Sequence, residues 1–328
     1  MRIGVDAMGG DHAPAVVVQG VIEAVKEFDV NITLFGIQED IEQEFQKNGF
    51  SKDRITIVHA PETIGMHEPA TVSIRQKKHS SISVGIDALK NAEVDAFISA
   101  GNTGAVVAAS TLKLRMLKGV ERPAIGIIIP TLKNFSFLID AGANTEPKPK
   151  HLLQSALMAK VYAKEVLGVS SPTTGLLNIG EEAGKGSGFE KEAYKVLEER
   201  MPNFIGNVEA SEVYTGKSDC IVCDGFVGNV VLKVSEGLLE SAGKLMKREI
   251  KKSPLAMMGA LLMKMSMKKI RKLADYAEYG GAPLLGVNGV VMIGHGRSSP
   301  KAIKNAIKAT IREIEHDILS AMTKEIEG

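Results

Sequence analysis

Six glycine-rich turns hold most of the residues in this 328-residue chain that could do chemistry. The first, DAMGGDHAP (6–14), offers Asp6, Gly9, Gly10 and His12. SAGNTGA (99–105) offers Ser99, Gly101, Asn102, Thr103 and Gly104. Asn144 closes AGAN, and Asn178 precedes GEEAGKGSG, which carries Lys185. DGFVGN (224–229) supplies Asp224, Gly225, Gly228 and Asn229, and His295 opens HGRSS (295–299). Glycine lets the backbone approach a ligand closely, and the first turn of a helix presents unpaired N–H groups. Those amides and the helix dipole favour an anion. Asn, Ser, Thr and His beside the glycines add side-chain donors, so the turns together read as a small-anion site.

Which anion is bounded by exclusion. GGDHAP lacks the dinucleotide G-x-G-x-x-G spacing, and Gly180–Gly186 is one residue short of a phosphate-binding P-loop. There is no H-E-x-x-H, no EF-hand loop and no clustered carboxylates, so no metal is expected. No G-x-S-x-G elbow is present. Cys220 and Cys223 form a C-x-x-C inside an apolar strand pattern, which reads as core cysteines. An anion site with no metal and no covalent nucleophile suits a reaction in which the anion itself attacks. Lys185 is the candidate to neutralise that anion or a developing oxyanion, and Asn229 to donate to the same centre. Each candidate also has a plain structural use. Lys185 serves equally as a solvated lysine and Asn229 as a helix cap. Asp6 and Asp224 serve as turn anchors, and His12 and His295 as hydrogen-bonded turn histidines.

The elements that must carry these turns alternate strand and helix. Apolar runs at Ile3–Asp6, Asp95–Ala100, Phe135–Asp140, Gly175–Ile179, Cys220–Cys223 and Val290–Ile293 each end in one of the turns, and a helical pattern follows. Alternation of this kind predicts a mostly parallel sheet with helices on both faces, and ligands beyond the carboxyl ends of its strands. Ile125–Ile129, solidly apolar, reads as a strand buried on both faces. The expectation is one α/β unit over 1–328, in one or two lobes, with the turns converging on one cleft. Net charge is +1, aromatics are 5% and Trp is absent, which argues against nucleic acid as a partner. The opening MRIGVDAMGG starts as a strand without a signal-like apolar core, and a cytoplasmic protein is expected.

DAMGGDHAP (6–14), ISAGNTGA (98–105), DGFVGN (224–229), YGGAPLLG (279–286) and HGRSS (295–299) together resemble the bacterial phosphate acyltransferase family of phospholipid synthesis, nearly end to end. That resemblance implies a three-layer α/β/α fold similar to phosphotransacetylases and isocitrate-type dehydrogenases, with a protruding C-terminal helical hairpin. It implies transfer of a long-chain fatty acyl group from acyl carrier protein to inorganic phosphate. It also implies a homodimer, no cofactor, and a downstream membrane glycerol-3-phosphate acyltransferase that consumes the acyl phosphate. The rival readings are a phosphotransacetylase acting on short acyl-CoA and a non-catalytic peripheral membrane scaffold.

Residues 244–280 form a basic, methionine-rich segment. Ten Lys or Arg stand against one Glu over 244–272, flanking the uncharged run Pro254–Met263. Ten residues are too few to span a bilayer, yet they suit insertion at an anionic membrane surface with lysines at the headgroups. Leu255, Met257, Met258, Leu261 and Leu262 would make the contact. The alternative is a hairpin buried at a dimer interface.

Overall fold

A computed structural model gives the fold and describes residues 1–49, 54–268 and 278–327. Its strands are β1 (Arg2–Asp6), β2 (Asn31–Gly36), β3 (Ile55–His59), β4 (Ala96–Ser99), β5 (Ala124–Pro130), β6 (Phe135–Ile139), β7 (Thr174–Asn178), β8 (Phe204–Glu209), β9 (Cys220–Val222), β10 (Ala282–Leu285) and β11 (Val290–Ile293). The helices are α1 (Ala15–Glu27), α2 (Gln38–Asn48), α3 (Ala70–Gln76), α4 (Ser81–Lys90), α5 (Thr103–Lys113), α6 (Pro149–Glu165), α7 (Gly188–Arg200), α8 (Gly225–Lys251), α9 (Pro254–Leu262), α10 (Pro300–Glu315) and α11 (Ile318–Glu327). In four of the six turns a polar residue starts the next helix by accepting a backbone N–H. Asn102 caps α5, Ser187 caps α7, Asp224 caps α8 and Ser299 caps α10. Asn229 therefore does not cap α8; it stands exposed within the helix.

The strands form one eleven-stranded sheet in the order β3-β2-β1-β4-β11-β10-β5-β6-β9-β7-β8. Pairing is parallel from β3 to β11 and again from β6 to β8, but antiparallel for β11–β10, β10–β5 and β5–β6. The apolar strand β5 is thus antiparallel to both neighbours. Its burial comes from its central place between helical layers, not from parallel pairing. Helices α1 and α10 pack together over β1 and β2, while α4 and α5 cover the opposite face. In the second half α6, α7 and α11 share a core with Phe137, Ile139 and Leu176. A further cluster runs from Phe97 and Val106 to Ile221 and Cys223, making the core continuous across both halves.

Because the two parallel sets run in opposite senses, the turns form two clusters. Those after β1, β4 and β11 adjoin one another, and so do those after β6, β9 and β7. On a flat sheet they would lie at opposite edges. Neighbouring strands rotate by roughly 20–25°, so the steps from β4 to β7 swing the strand axes most of the way round. Helix α8, starting at the carboxyl end of β9, accordingly reaches His295 beyond the carboxyl end of β11. The expected single cleft is a pair of glycine-turn clusters bridged by α8. Among the described residues, no helix is long and apolar enough to cross a membrane.

Candidate active site

The first cluster is built around Asp6. Ser99 Oγ donates to Asp6 Oδ2 at 2.7 Å and accepts from the Gly101 N–H at 3.1 Å, while Met8 N–H donates to Asp6 Oδ1 at 3.0 Å. Burial pushes the Asp6 carboxyl up from its usual range and these donors pull it back. Turn one lies so close to the β4 turn that a Cβ on Gly9 would fall 2.6 Å from both Asp6 Oδ2 and Gly101 N. Asp11 N–H donates to Gly296 O at 2.8 Å, locking the HGRSS turn to turn one. Between them is a shallow depression open to solvent, with interior room for about one water, lined by Gly9, Gly10, His12, Gly296 and Ser298 with Val16 and Ile303 behind.

Asn102 is spent on architecture. Its Oδ1 accepts from Ala105 N–H, and its Nδ2 lies within 3.2 Å of the carbonyl oxygens of Gly65, Met66 and Glu68. The loop after β3 is thereby held over the start of α5, where Thr103 and Gly104 are exposed. Lys77 steadies that loop from below, and its ammonium holds the Glu68 carboxyl down at about 2.

The second cluster centres on Asp140. Its Oδ1 accepts from the N–H groups of Ile125, Gly142 and Ala143, and its Oδ2 from Asn144 N–H at 2.7 Å. The Asn144 side chain donates to Asp140 Oδ2 and to Pro123 O. Gly228 brings α8 against this turn, since a Cβ there would lie 1.9 Å from the Asp140 carbonyl oxygen. Asn229 follows beside Gly142. Asn178 Nδ2 donates to Asn207 Oδ1 at 3.1 Å and to Lys185 O at 3.3 Å, and Asn207 Nδ2 donates to Glu182 O at 2.8 Å. The two asparagines form the floor of the Lys185 loop. Lys185 Nζ stands 3.7 Å from Glu182 Oε1 with its side chain 48% exposed, an ion pair too open to immobilise it.

Residues beyond the sequence candidates complete the site: Asp140, Asn207 and the loop around 65–68. Asp140 had a signal in its setting. D-A-M-G (6–9), D-A-G-A (140–143) and D-G-F-V (224–227) each place an Asp at a strand end, and each carboxylate folds back onto amides of its own turn. Asn207 sits mid-strand with nothing in its local pattern to mark it. Both cysteines are buried and free, and burial pushes the Cys220 thiol up to about 12 and raises that of Cys223 as well. Such thiols are inert. Among the described residues, no group of three or more His, Cys, Asp or Glu stands together to hold a metal ion.

The sheet order, the bridging helix and the paired turn clusters define an α/β fold of the phosphotransacetylase kind. A phosphotransacetylase from Streptococcus pyogenes matches with a TM-score of 0.62 at 15% identity, covering 100% of this chain and 94% of that one. The family model for the fatty acid synthesis protein matches residues 1–321, and the chain belongs to that family. Similar to it are a phosphate acyltransferase of Alkaliphilus oremlandii, 47% identical over 99% of this chain and 97% of that protein, and one of Geobacter sulfurreducens, 46% identical over 100% and 94%.

Proposed function

We propose that this chain is an acyltransferase that moves a long-chain fatty acyl group from acyl carrier protein to inorganic phosphate, supplying acyl phosphate for phospholipid synthesis. The full-length likeness to phosphate acyltransferases supports the reaction. The observation that carries the site is that one helix, α8, touches both glycine-turn clusters, at Gly228 and Asn229 beside the Asp140 turn and at Glu236 beside His295. Phosphate sits in the pocket between turn one and the HGRSS turn, held by backbone amides with His12 and Ser298 at its rim. The thioester lies toward the second cluster. A phosphate oxygen attacks the thioester carbonyl carbon, and the carbonyl oxygen becomes an oxyanion. Lys185 and Asn229 stabilise that charge, the term that commonly dominates such reactions. The C–S bond then breaks, and the thiolate leaves readily because thiol pKa values lie near 8.5. Products are acyl phosphate and the carrier thiol. Asp6, Asp140 and Asp224 shape the turns rather than contact the anion.

Helix α9 fits a membrane-side role. Every apolar residue of α9 stands clear of the core, with Leu255 74%, Leu261 68% and Leu262 84% exposed. Lys251 and Lys252 precede the helix and Lys264 and Lys268 follow it, placed for anionic headgroups; residues 269–277 of the basic segment lie outside the described residues. On α8, exposed Phe226, Val230, Val234 and Leu238 recur every four residues, a stripe suited to a second copy of the chain in a homodimer. Membrane release would hand acyl phosphate directly to a membrane glycerol-3-phosphate acyltransferase.

The test is to incubate the purified chain with acyl-acyl carrier protein and phosphate, follow acyl phosphate formation, and run short acyl-CoA in parallel. Lys185→Ala and Asn229→Ala are each expected to lower turnover at least about tenfold, roughly 1.4 kcal/mol of transition-state stabilisation. Absence of acyl phosphate with the wild-type chain overturns the reaction. Wild-type turnover in both variants overturns only their roles.

A further inference from the structure

Two consecutive residues of α8 reach in opposite directions. Ser235 gives its own proton to Val231 O, so its Oγ accepts from the Tyr214 hydroxyl, in the segment after β8. Glu236 turns the other way, its Oε1 lying 3.5 Å from Nε2 of His295, in the turn after β11. Seven residues, about 10 Å along the helix, separate Asn229 from Glu236. The same helix is therefore pinned to the second turn cluster at Gly228, to the second half again at Ser235, and to the first cluster at Glu236.

The geometry around His295 defines its tautomer. Arg297 N–H donates to Nδ1 at 3.1 Å, so Nδ1 carries a lone pair and Nε2 carries the proton that points to Glu236. The His295 carbonyl accepts from both Ser298 N–H and Ser298 Oγ, at 2.9 and 2.6 Å. Ring and backbone of His295 thus order the turn whose Gly296 and Ser298 line the phosphate pocket. The hydrogen bond from His295, with Lys233 beside it, holds the Glu236 carboxyl down at about 2. One helical turn on, Glu240 lies in the field of Arg297, so two acids of α8 face two basic residues of this turn.

We propose that Glu236 is a positioning residue: by accepting from His295 Nε2 it sets the phosphate-side turn against α8, and with it the spacing between the two halves of the active site. This rests on the reading of the Gly9–Gly296 pocket as the phosphate site. No chemistry is assigned to Glu236, which acts through His295.

The test compares Glu236→Ala and Glu236→Gln with the wild type, measuring kcat and separate KM values for phosphate and acyl-acyl carrier protein, together with Tm. Glutamine keeps an acceptor oxygen for Nε2–H, whereas alanine does not. Glu236→Ala is expected to raise the phosphate KM about tenfold, the size of one lost hydrogen bond to a charged group, with the acyl-donor KM unchanged. Glu236→Gln should stay within about twofold of wild type on the same reasoning. An unaltered phosphate KM in Glu236→Ala overturns the proposal. So does a rise in both KM values together, or a Gln variant as impaired as the Ala variant. Inorganic phosphate added to the wild type separates the two readings. No rise in its Tm sinks the pocket itself, while a normal rise with a silent Glu236→Ala sinks only the role of Glu236.

Discussion

The Tyr162 hydroxyl donates to Glu313 Oε1 at 3.1 Å in a place where neither side chain reaches solvent. The bond joins α6 to α10, and Phe137 stacks on the Tyr162 ring at 4.6 Å. Burial pushes the Glu313 carboxyl up to about 8, the Tyr162 hydrogen bond offsetting a part.

A raised folded-state pKa means that the folded chain binds this proton more tightly than the unfolded one. The stability it contributes is complete below the unfolded carboxyl value of 4.5 and is lost as pH rises toward about 8. Glu313→Gln keeps the acceptor for Tyr162 and removes the titration. Its melting temperature is expected to fall less than that of the wild type between pH 6 and 9, since each tenfold difference in proton affinity between the two states is worth about 1.4 kcal/mol. Parallel curves for the two proteins would show that Glu313 is already charged in the fold.

Gly228 and Gly237 lie on the same helix and predict opposite outcomes. A Cβ at 228 meets the Asp140 carbonyl oxygen at 1.9 Å and Cys223 Sγ at 3.0 Å, and backbone cannot yield. Gly228→Ala should cost about 3 kcal/mol or more, or abolish soluble expression. Around Gly237 nothing lies within 4 Å, so Gly237→Ala should gain about 0.5–1 kcal/mol from helix propensity alone. Denaturant midpoints of the two variants measure both, and a stable Gly228→Ala contradicts the close approach.

Phosphate should raise the melting temperature through mass action, and chloride at equal ionic strength should not. Gly9→Ala forces Asp6 and Gly101 apart at the edge of the pocket, where its Cβ would lie 2.6 Å from each. This variant is expected to lose the phosphate-dependent rise. Retention of the full rise would place the anion elsewhere.

Leu261→Glu combined with Leu262→Glu puts two charges on a helix face that the core does not use. Burying the α9 apolar residues in a bilayer should contribute a few kcal/mol at about 25 cal/mol per Å². The double variant is expected to leave anionic vesicles in flotation assays while keeping activity on soluble acyl-acyl carrier protein. If it unfolds or loses its oligomeric state instead, the face packs against protein.

Much of this arrangement is written locally. Each strand that ends in Asp, Ser or Asn before a glycine turn is found within a residue or two of its apolar run, because burial and capping are short-range signals. The direction of β5 is not local. Ile125–Ile129 is apolar whichever way its neighbours run, and only the arrival of Leu284 and Leu285 alongside fixes the pairing as antiparallel. The division of the turns into two clusters follows from that reversal, so it too was hidden. At the site, Lys185 and Asn229 stand out as polar residues in glycine-rich surroundings. Glu236 and Asn207 do not, since their meaning lies in partners 59 and 29 residues away, His295 and Asn178.

The sheet order also bears on how the chain is made. β10 and β11 occupy the middle of the sheet, between β4 and β5, although almost two hundred residues of sequence separate Ser99 from Ala282. A ribosome therefore completes both wings before their centre exists. Until the C-terminal strands emerge, β4 and β5 each present an open edge, the kind of surface that pairs with the wrong neighbour. Nascent chains of this protein are consequently most exposed to aggregation late in translation, and chaperone demand should peak after residue 222 and end once residue 293 has cleared the exit tunnel.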